Sequence, residues 1–531
     1  MTETIRKYKI WEPLLLSLMT VIGMVAGAKF AGSGNQQQKP EAAFTNAHYS
    51  GRQVEEIIRF LETRYVGDVS TDALVEKAIA SIMEGLDPHT HYFPPDKMVE
   101  LEERTNGHYV GIGIEVAFMR DSLVVLYPKK DSPAEHAGII SGDYILAVND
   151  QKIPDDSLDQ KEILELIRGA KGSKVKLTIK PMLKSIIHTV EVTREEIKVP
   201  SVVAGYMIDS TIAYIKILRF TNSTYREFMD HWERMSTQNH AEHLILDLRD
   251  NPGGYLKEAV NILSQIIEEE GKLLVYTEGK NQDRNEYKST GKVFFPVGNV
   301  TVLINEASAS ASEIIAGCIQ DQDRGLIIGT PTYGKGLVQE QFELSNGGIL
   351  RMTVSKYYTP SGRSIQKAYD STSAVDTNTI FKTSLGRPVY AGGGIVPDIE
   401  VKDQIDWDHP AMKQLMDIIS EYAIRYNLEK YEGKLVPVNQ VEEVIKKLPD
   451  EAEMMDALTR LVLQKTKPGD ISLVNYISEH KDDIVKISRA TLVAYRTGEE
   501  GWYVAFNHSD PLVSKAREMV RLDLLMALKV N

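Results

Sequence analysis

The stretch N-E-A-S-A-S-A-S-E, Asn305 to Glu313, carries three serines separated by single alanines. A serine hydroxyl becomes a useful nucleophile only beside a base and a place for the oxyanion it creates. The preceding residues, V-T-V-L-I-N, read as an apolar strand, and the following ones, E-I-I-A-G-C-I, as a helix. A tight strand-to-helix turn of small residues presents a side chain at the carboxyl edge of a sheet. There it meets free helix amides and the positive end of the helix dipole. The run Ser310-Ala-Ser-Glu313 also matches the capping box S-x-x-E, in which the serine only caps the helix. The local pattern leaves nucleophile and cap both open, and it does not separate Ser308, Ser310 and Ser312.

The base is harder to find. No G-x-S-x-G elbow surrounds the serines, and no histidine lies between Asn299 and Pro397. His240 and His243 precede an apolar strand, and His89 and His91 form an H-x-H read as a loop. Neither pair completes a zinc-binding set, so all four read as structural polar residues. Lysine remains, and it serves as a base only where desolvation lowers its pKa toward neutrality. The S-x-x-K matches at Ser289–Lys292 and Ser478–Lys481 lie in polar surroundings without a preceding buried strand. Lys335 differs: in I-I-G-T-P-T-Y-G-K-G-L-V-Q it stands between two glycines beside an apolar segment. In an extended segment Lys335 and Gln339 share a face, where the glutamine amide could hold a neutral amine. A surface lysine in a glycine turn is the competing reading.

The elements that must position these groups belong to a chain of 531 residues, too long for one core at about 150 residues per domain. The formal charge of −14 and the lack of a basic run interleaved with aromatics exclude nucleic acid. One cysteine, Cys318, excludes an internal disulfide without deciding the compartment. Arg6, Lys7 and Lys9 precede an uncharged stretch from Pro13 to Ala28, so residues 1–31 read as an export signal or inner-membrane anchor. Ala26-Gly27-Ala28 leaves cleavage open. The rest then faces the periplasmic side of a bacterial envelope, behind a polar linker at 32–46. Helical periodicity marks an N-terminal region at 47–105 and a C-terminal one at 404–531. Short strands broken by Gly, Asp and Pro, with two helices, make an α+β module at 106–195. Wholly apolar strands alternate with helices over 196–403, the pattern of an α/β core with both sheet faces covered.

The module at 106–195 resembles a PDZ domain through G-I-G-I (Gly111 to Ile114), P-A-E-H-A-G-I (Pro133 to Ile139) and G-D-Y-I-L-A-V-N-D. That resemblance implies capture of a protein C-terminus by strand addition, with Gly111, Ile112, Gly113 and Ile114 holding the tail. Six further motifs, in order and spacing, resemble the C-terminal processing peptidases, also called tail-specific proteases. They are L-D-P-H-T-H-Y-F-P-P, D-L-R-D-N-P-G-G-Y, the serine stretch, G-T-P-T-Y-G-K-G-L-V-Q, K-Y-Y-T-P-S-G-R-S-I-Q and G-G-G-I-V-P-D-I. The resemblance covers about residues 50–402 and implies a Clp protease/crotonase-like core with an inserted PDZ domain. It implies Ser310 as nucleophile, Lys335 as base, Gln339 as their partner, and the amides of Ala311 and Gly253 as oxyanion donors. Arg168 falls at a position that would couple the PDZ domain to the core. No metal or cofactor is implied. The expected partners are protein C-termini and, through the N-terminal segment, a membrane; a homodimer or a regulatory adaptor stays open. The competing functions are a catalytically silent PDZ scaffold of the envelope and a histidine-based hydrolase.

Overall fold

The computed structural model describes residues 51–98, 101, 103, 107–119, 122–153, 160–184, 186–368, 379–403, 405–467 and 469–522. The expected anchor and linker, at 1–31 and 32–46, lie outside these residues, and among the described residues no helix is long and apolar enough to cross a membrane. The chain divides into two units, 1–82 and 83–531. In the first, the helical periodicity is realised as α1 (Gly51–Arg64) and α2 (Thr71–Glu84). Val54, Ile57 and Phe60 of α1 stay exposed.

In the second unit β1 (His91–Phe93) pairs antiparallel across His91↔Arg351, so His91 opens a strand and the expected H-x-H loop is corrected there. Three residues are too few for a period to register in sequence.

The PDZ module follows: β2 (His108–Gly111), β3 (Ile114–Met119), β4 (Ser122–Pro128), β5 (Asp143–Val148), α3 (Gln160–Ile167), β6 (Lys174–Pro181), β7 (His188–Thr193) and β8 (Glu195–Lys198). Its main sheet runs β3-β4-β5-β6-β7, which leaves β3 at an edge. Ile112, Leu123, Val125, Ile145, Leu177 and Ile179 fill its core. β2 pairs with β8 (His108↔Lys198), bringing together the points where the chain enters and leaves the module.

The α/β core is built on β9 (Val202–Met207), β10 (Ile212–Ile217), α4 (Thr224–Asn239), β11 (His243–Asp247), α5 (Leu256–Ile266), β12 (Leu273–Gly279), β13 (Gln282–Lys288), β14 (Val300–Ile304), α6 (Ala311–Asp321), β15 (Gly325–Gly329), β16 (Leu337–Glu343), β17 (Ile349–Tyr358) and β18 (Ile399–Glu400). The sheet runs β9-β10-β11-β14-β15-β18, parallel after the first pair. A second sheet, β1-β17-β12-β13 with β16 beside β17, carries the lysine segment.

β10, β14 and β15 are buried at every position, as strands covered on both faces must be. One face packs Ile215, Leu246 and Val302 against α4, α5 and α6. The other packs Tyr214, Ile245, Leu303 and Ile328 against Leu512, Val513, Ala516 and Met519. These belong to the C-terminal region, which adds α7 (Pro410–Tyr431), α8 (Glu451–Lys465), α9 (Lys481–Thr497), α10 (Glu499–Asn507) and α11 (Pro511–Met519). Fully burying one such aliphatic side chain contributes about 1.5–3 kcal/mol, so α11 is integral to the sheet. The other C-terminal helices also enclose Val124 of the PDZ domain, with Tyr127, Tyr144 and Met182 packed alongside.

Candidate active site

Ser310 sits where β14 turns into α6, at φ 54° and ψ −112°. A non-glycine residue there stores about 1–3 kcal/mol of strain, so its surroundings must hold it. Glu313 supplies one hold, accepting from the Ser310 N–H at 2.8 Å, the return half of the capping box. Tyr357 supplies another: its hydroxyl donates to the Ser310 carbonyl at 3.1 Å, which also accepts from the Ile314 N–H at 3.0 Å.

The flanking serines face inward and are fully buried. Ser308 Oγ donates to the Leu248 carbonyl at 2.8 Å and accepts from the Asn305 N–H at 3.0 Å. Ser312 Oγ donates to the Asn251 carbonyl at 2.9 Å, and the Ala309 N–H joins it at 2.9 Å. Both serines thus stitch the turn to D-L-R-D-N-P-G-G, and Ser310 alone of the three is half-buried.

That neighbouring loop brings Gly253 against the turn. A β-carbon on Gly253 would lie 2.7 Å from Ser310 Cβ and 2.9 Å from the Ala311 nitrogen, and its φ is 95°; glycine is required on both counts. The Gly253 N–H donates to Asn251 Oδ1 at 2.9 Å, while the Asn251 amide donates to the Ile217 carbonyl at 2.9 Å. Ala311 is the first residue of α6, where a helix leaves amides without intrahelical partners.

Lys335 lies just before β16, half-buried, and its Nζ donates to Gln339 Oε1 at 3.2 Å despite a register shift between Val338 and Gln339. Gln339 in turn donates to the His89 carbonyl. Among the described residues no hydrogen bond joins Lys335 Nζ to Ser310 Oγ. Burial lowers the Lys335 pKa, and the Arg351 guanidinium lowers it further; Asp87 and Glu313 oppose both. Each cause has the sign expected for an ammonium leaving water beside another cation.

Two residues that the sequence did not single out for the site join its halves. Glu313, fully buried, accepts from Thr332 Oγ1 (2.6 Å) and Gly334 N–H (2.8 Å) on one oxygen. Its other oxygen accepts from the Ser310 (2.8 Å) and Lys335 (2.9 Å) amides. Burial raises its pKa, and these bonds pull the other way. The single Tyr357 hydroxyl hydrogen is shared between the Lys335 and Ser310 carbonyls. Glu313 was visible as the end of S-x-x-E and Tyr357 as part of K-Y-Y-T-P; neither motif names the partner across the fold.

In the PDZ module Ile112 and Gly113 form the loop between β2 and β3, and Gly111 and Ile114 flank it as strand ends. Gly113 has φ 75°, and a β-carbon there would lie 2.5 Å from Ser132 Cβ. The loop, β3 and α3 border a groove of about 190 Å³ flanked by Lys129 and Arg168. Arg168 pairs with Glu103, of the N-terminal helical region, at 3.0 Å and lies 5.0 Å from the centre of the Tyr109 ring of the PDZ module, so neither described partner belongs to residues 196–403.

Two segments of the chain match known families. Peptidase family S41 matches residues 211–401, and a PDZ domain matches 124–181. A carboxy-terminal-processing protease of Bartonella bacilliformis is 33% identical over 314 residues, 59% of this chain and 71% of its own. A probable CtpA-like serine protease of Staphylococcus epidermidis is 30% identical over 413 residues, 76% of this chain and 79% of its own. The solved structure of a photosystem II D1 C-terminal processing protease is 25% identical with a TM-score of 0.36, covering 67% of this chain and 94% of its own. With its S41 core, its PDZ module and relatives that share most of their length with it, the chain belongs to the carboxy-terminal-processing proteases and is a serine protease carrying a PDZ domain.

Proposed function

We propose that this protease binds the C-terminal tail of a protein on β3 of its PDZ domain and cleaves the chain with a Ser310/Lys335 dyad. The division of labour follows residues 106–195 for recognition and 196–403 for cutting. The observation that carries the reading is the shared clamp: one carboxylate, Glu313, accepts from the main chains of both Ser310 and Lys335 at 2.8 and 2.9 Å. A shared anchor keeps nucleophile and base in register, which is where much of an enzyme's advantage arises.

Lys335, neutral, takes the Ser310 proton as the hydroxyl attacks a peptide carbonyl. The oxyanion is stabilised by the amides of Ala311 and Gly253. The proton passes to the leaving amine, and a water activated by the same lysine hydrolyses the acyl-enzyme. The Lys335 amine is held by Gln339 and the Gly253 N–H by Asn251. Substrate must therefore turn both toward the serine, and Gln339 stores the amine in the interim.

Recognition rests on an edge strand beside a groove with Lys129 and Arg168 at its border, where a terminal carboxylate finds positive charge. Arg168 would report tail binding through Glu103. The basic cluster and apolar stretch of residues 1–31 favour envelope proteins as substrates.

The test is cleavage of an unfolded exported protein with an apolar C-terminus by the wild type, Ser310→Ala and Lys335→Ala. Each variant should lose about 10³-fold or more in kcat. Unchanged cleavage in either sinks the dyad, and binding without cleavage by the wild type would favour the silent scaffold. Amidating the substrate's C-terminus should raise KM; an unmoved KM removes tail recognition.

A further inference from the structure

We propose that Asp510, at the start of α11, is a positioning residue that acts through Arg249 on the N-P-G-G loop. The inference rests on the assignment of Ser310 and that loop made above.

The loop begins where β11 ends, at a cluster of buried charges. Asp247 is fully buried and accepts from Tyr214 Oη (2.7 Å), Lys216 Nζ (3.1 Å) and Arg249 Nη2 (2.6 Å). Lys216 also donates to the Arg249 carbonyl. Two cations and one anion leave this cluster one negative charge short, and a buried charge without a partner is strongly destabilising. Asp510 supplies the missing charge from 261 residues away, its Oδ2 lying 2.8 Å from Arg249 Nη1 with only 1% of the residue exposed. Its other oxygen caps α11, accepting from the Leu512 N–H at 2.9 Å.

From Arg249 the path to the site is short. Asp250, at φ 60°, exchanges hydrogen bonds of 2.8 Å with Asn305, the first residue of the serine stretch. The Leu248 and Asn251 carbonyls on either side accept from Ser308 and Ser312. A loop with positive φ at both Asp250 and Gly253 depends on its anchors, and Arg249 is the anchor at its start. Asp510 therefore ties the helix that closes the sheet to the loop that receives the oxyanion.

The two duties of Asp510 can be separated, because asparagine caps a helix as well as aspartate but cannot balance a guanidinium. In the full-length protein Asp510→Asn should lower kcat about tenfold or more, within the ~10² that a small misplacement costs, with KM unchanged. Asp510→Glu, which keeps the charge, should recover part of that loss, and Asp510→Ser, which also caps, should behave like Asp510→Asn. Leu512→Ala thins the packing of α11 but leaves the ion pair; it should lower the melting temperature and spare kcat. In an Arg249→Gln background, where no cation is left for it to balance, Asp510→Asn should add nothing further.

Unchanged kcat in Asp510→Asn overturns the inference. So does a loss in Leu512→Ala equal to that in Asp510→Asn, or full additivity with Arg249→Gln. Ser310→Ala, assayed alongside, keeps the two readings apart. If it is inactive while Asp510→Asn is normal, only this inference fails; if it is active, the dyad fails whatever Asp510 does.

Discussion

The three serines of Asn305–Glu313 should separate in opposite orders of stability and activity. Ser308→Ala removes a buried hydroxyl that accepts from the Asn305 N–H at 3.0 Å and donates to the Leu248 carbonyl at 2.8 Å. The Asn305 N–H is left without its acceptor, while the Leu248 carbonyl keeps the Asn251 N–H at 3.3 Å, a loss of about 2 kcal/mol. Ser312→Ala removes one bond to the Asn251 carbonyl, which keeps the Ala309 N–H at 2.9 Å, so about 1 kcal/mol is expected. Ser310 is held by its backbone, and Ser310→Ala should stay within about 0.5 kcal/mol of the wild type. Ser310→Gly relieves the φ of 54° and should stabilise by on the order of 1 kcal/mol. Urea unfolding followed by tryptophan fluorescence, to which Trp232 contributes from its fully buried place under the central sheet, gives the stabilities. Cleavage of an unfolded exported protein gives the activities: none in either Ser310 variant, substantial in Ser308→Ala and Ser312→Ala. Two results would refute the reasoning. One is a Ser312 loss larger than the Ser308 loss. The other is a destabilised Ser310→Gly, since strain at the nucleophile would then be absent.

Two further variants probe the base and the clamp. Arg351→Gln removes a positive charge that lowers the Lys335 pKa, so that pKa should rise. Because the base must be neutral, the ascending limb of kcat/KM against pH should move to higher pH; an unmoved or acid-shifted limb rules out Arg351 as a tuner. Tyr357→Phe deletes the donor shared by the Ser310 and Lys335 carbonyls; the Ser310 carbonyl keeps its bond from Ile314, while Lys335 is left with Glu313 alone on its main chain. A fall in kcat of about tenfold with KM unchanged is expected, and an unaltered kcat would reduce the tyrosine to packing.

Why some of this was legible and some was not follows from sequence distance. The turn at Ser310 could be read because strand, turn, helix and capping glutamate lie within fifteen residues, and Lys335 and Gln339 are four apart. The apolar runs Leu244–Leu246 and Val300–Ile304 also announced a sheet covered on both faces. They could not announce what covers it. Leu512, Ala516, Met519 and Val520 stand at helical spacing, and that spacing shows that a face is buried without showing against which strands. Tyr357 raises the same difficulty across 47 residues, since nothing in K-Y-Y-T-P says that its hydroxyl reaches a carbonyl at the serine turn. Arg249 is more instructive. Asp247 and Arg249 end a strand whose apolar neighbours predict burial, and a buried arginine demands anions enough to balance it and any cation beside it. The sequence therefore poses the question of a second carboxylate, but of its 75 acidic residues any besides Asp247 could answer it. Only the fold, by laying α11 across the sheet, selects Asp510. Chemistry that depends on neighbours in sequence is written in motifs; its alignment depends on partners in space, and here those include a region that carries no recognisable motif at all.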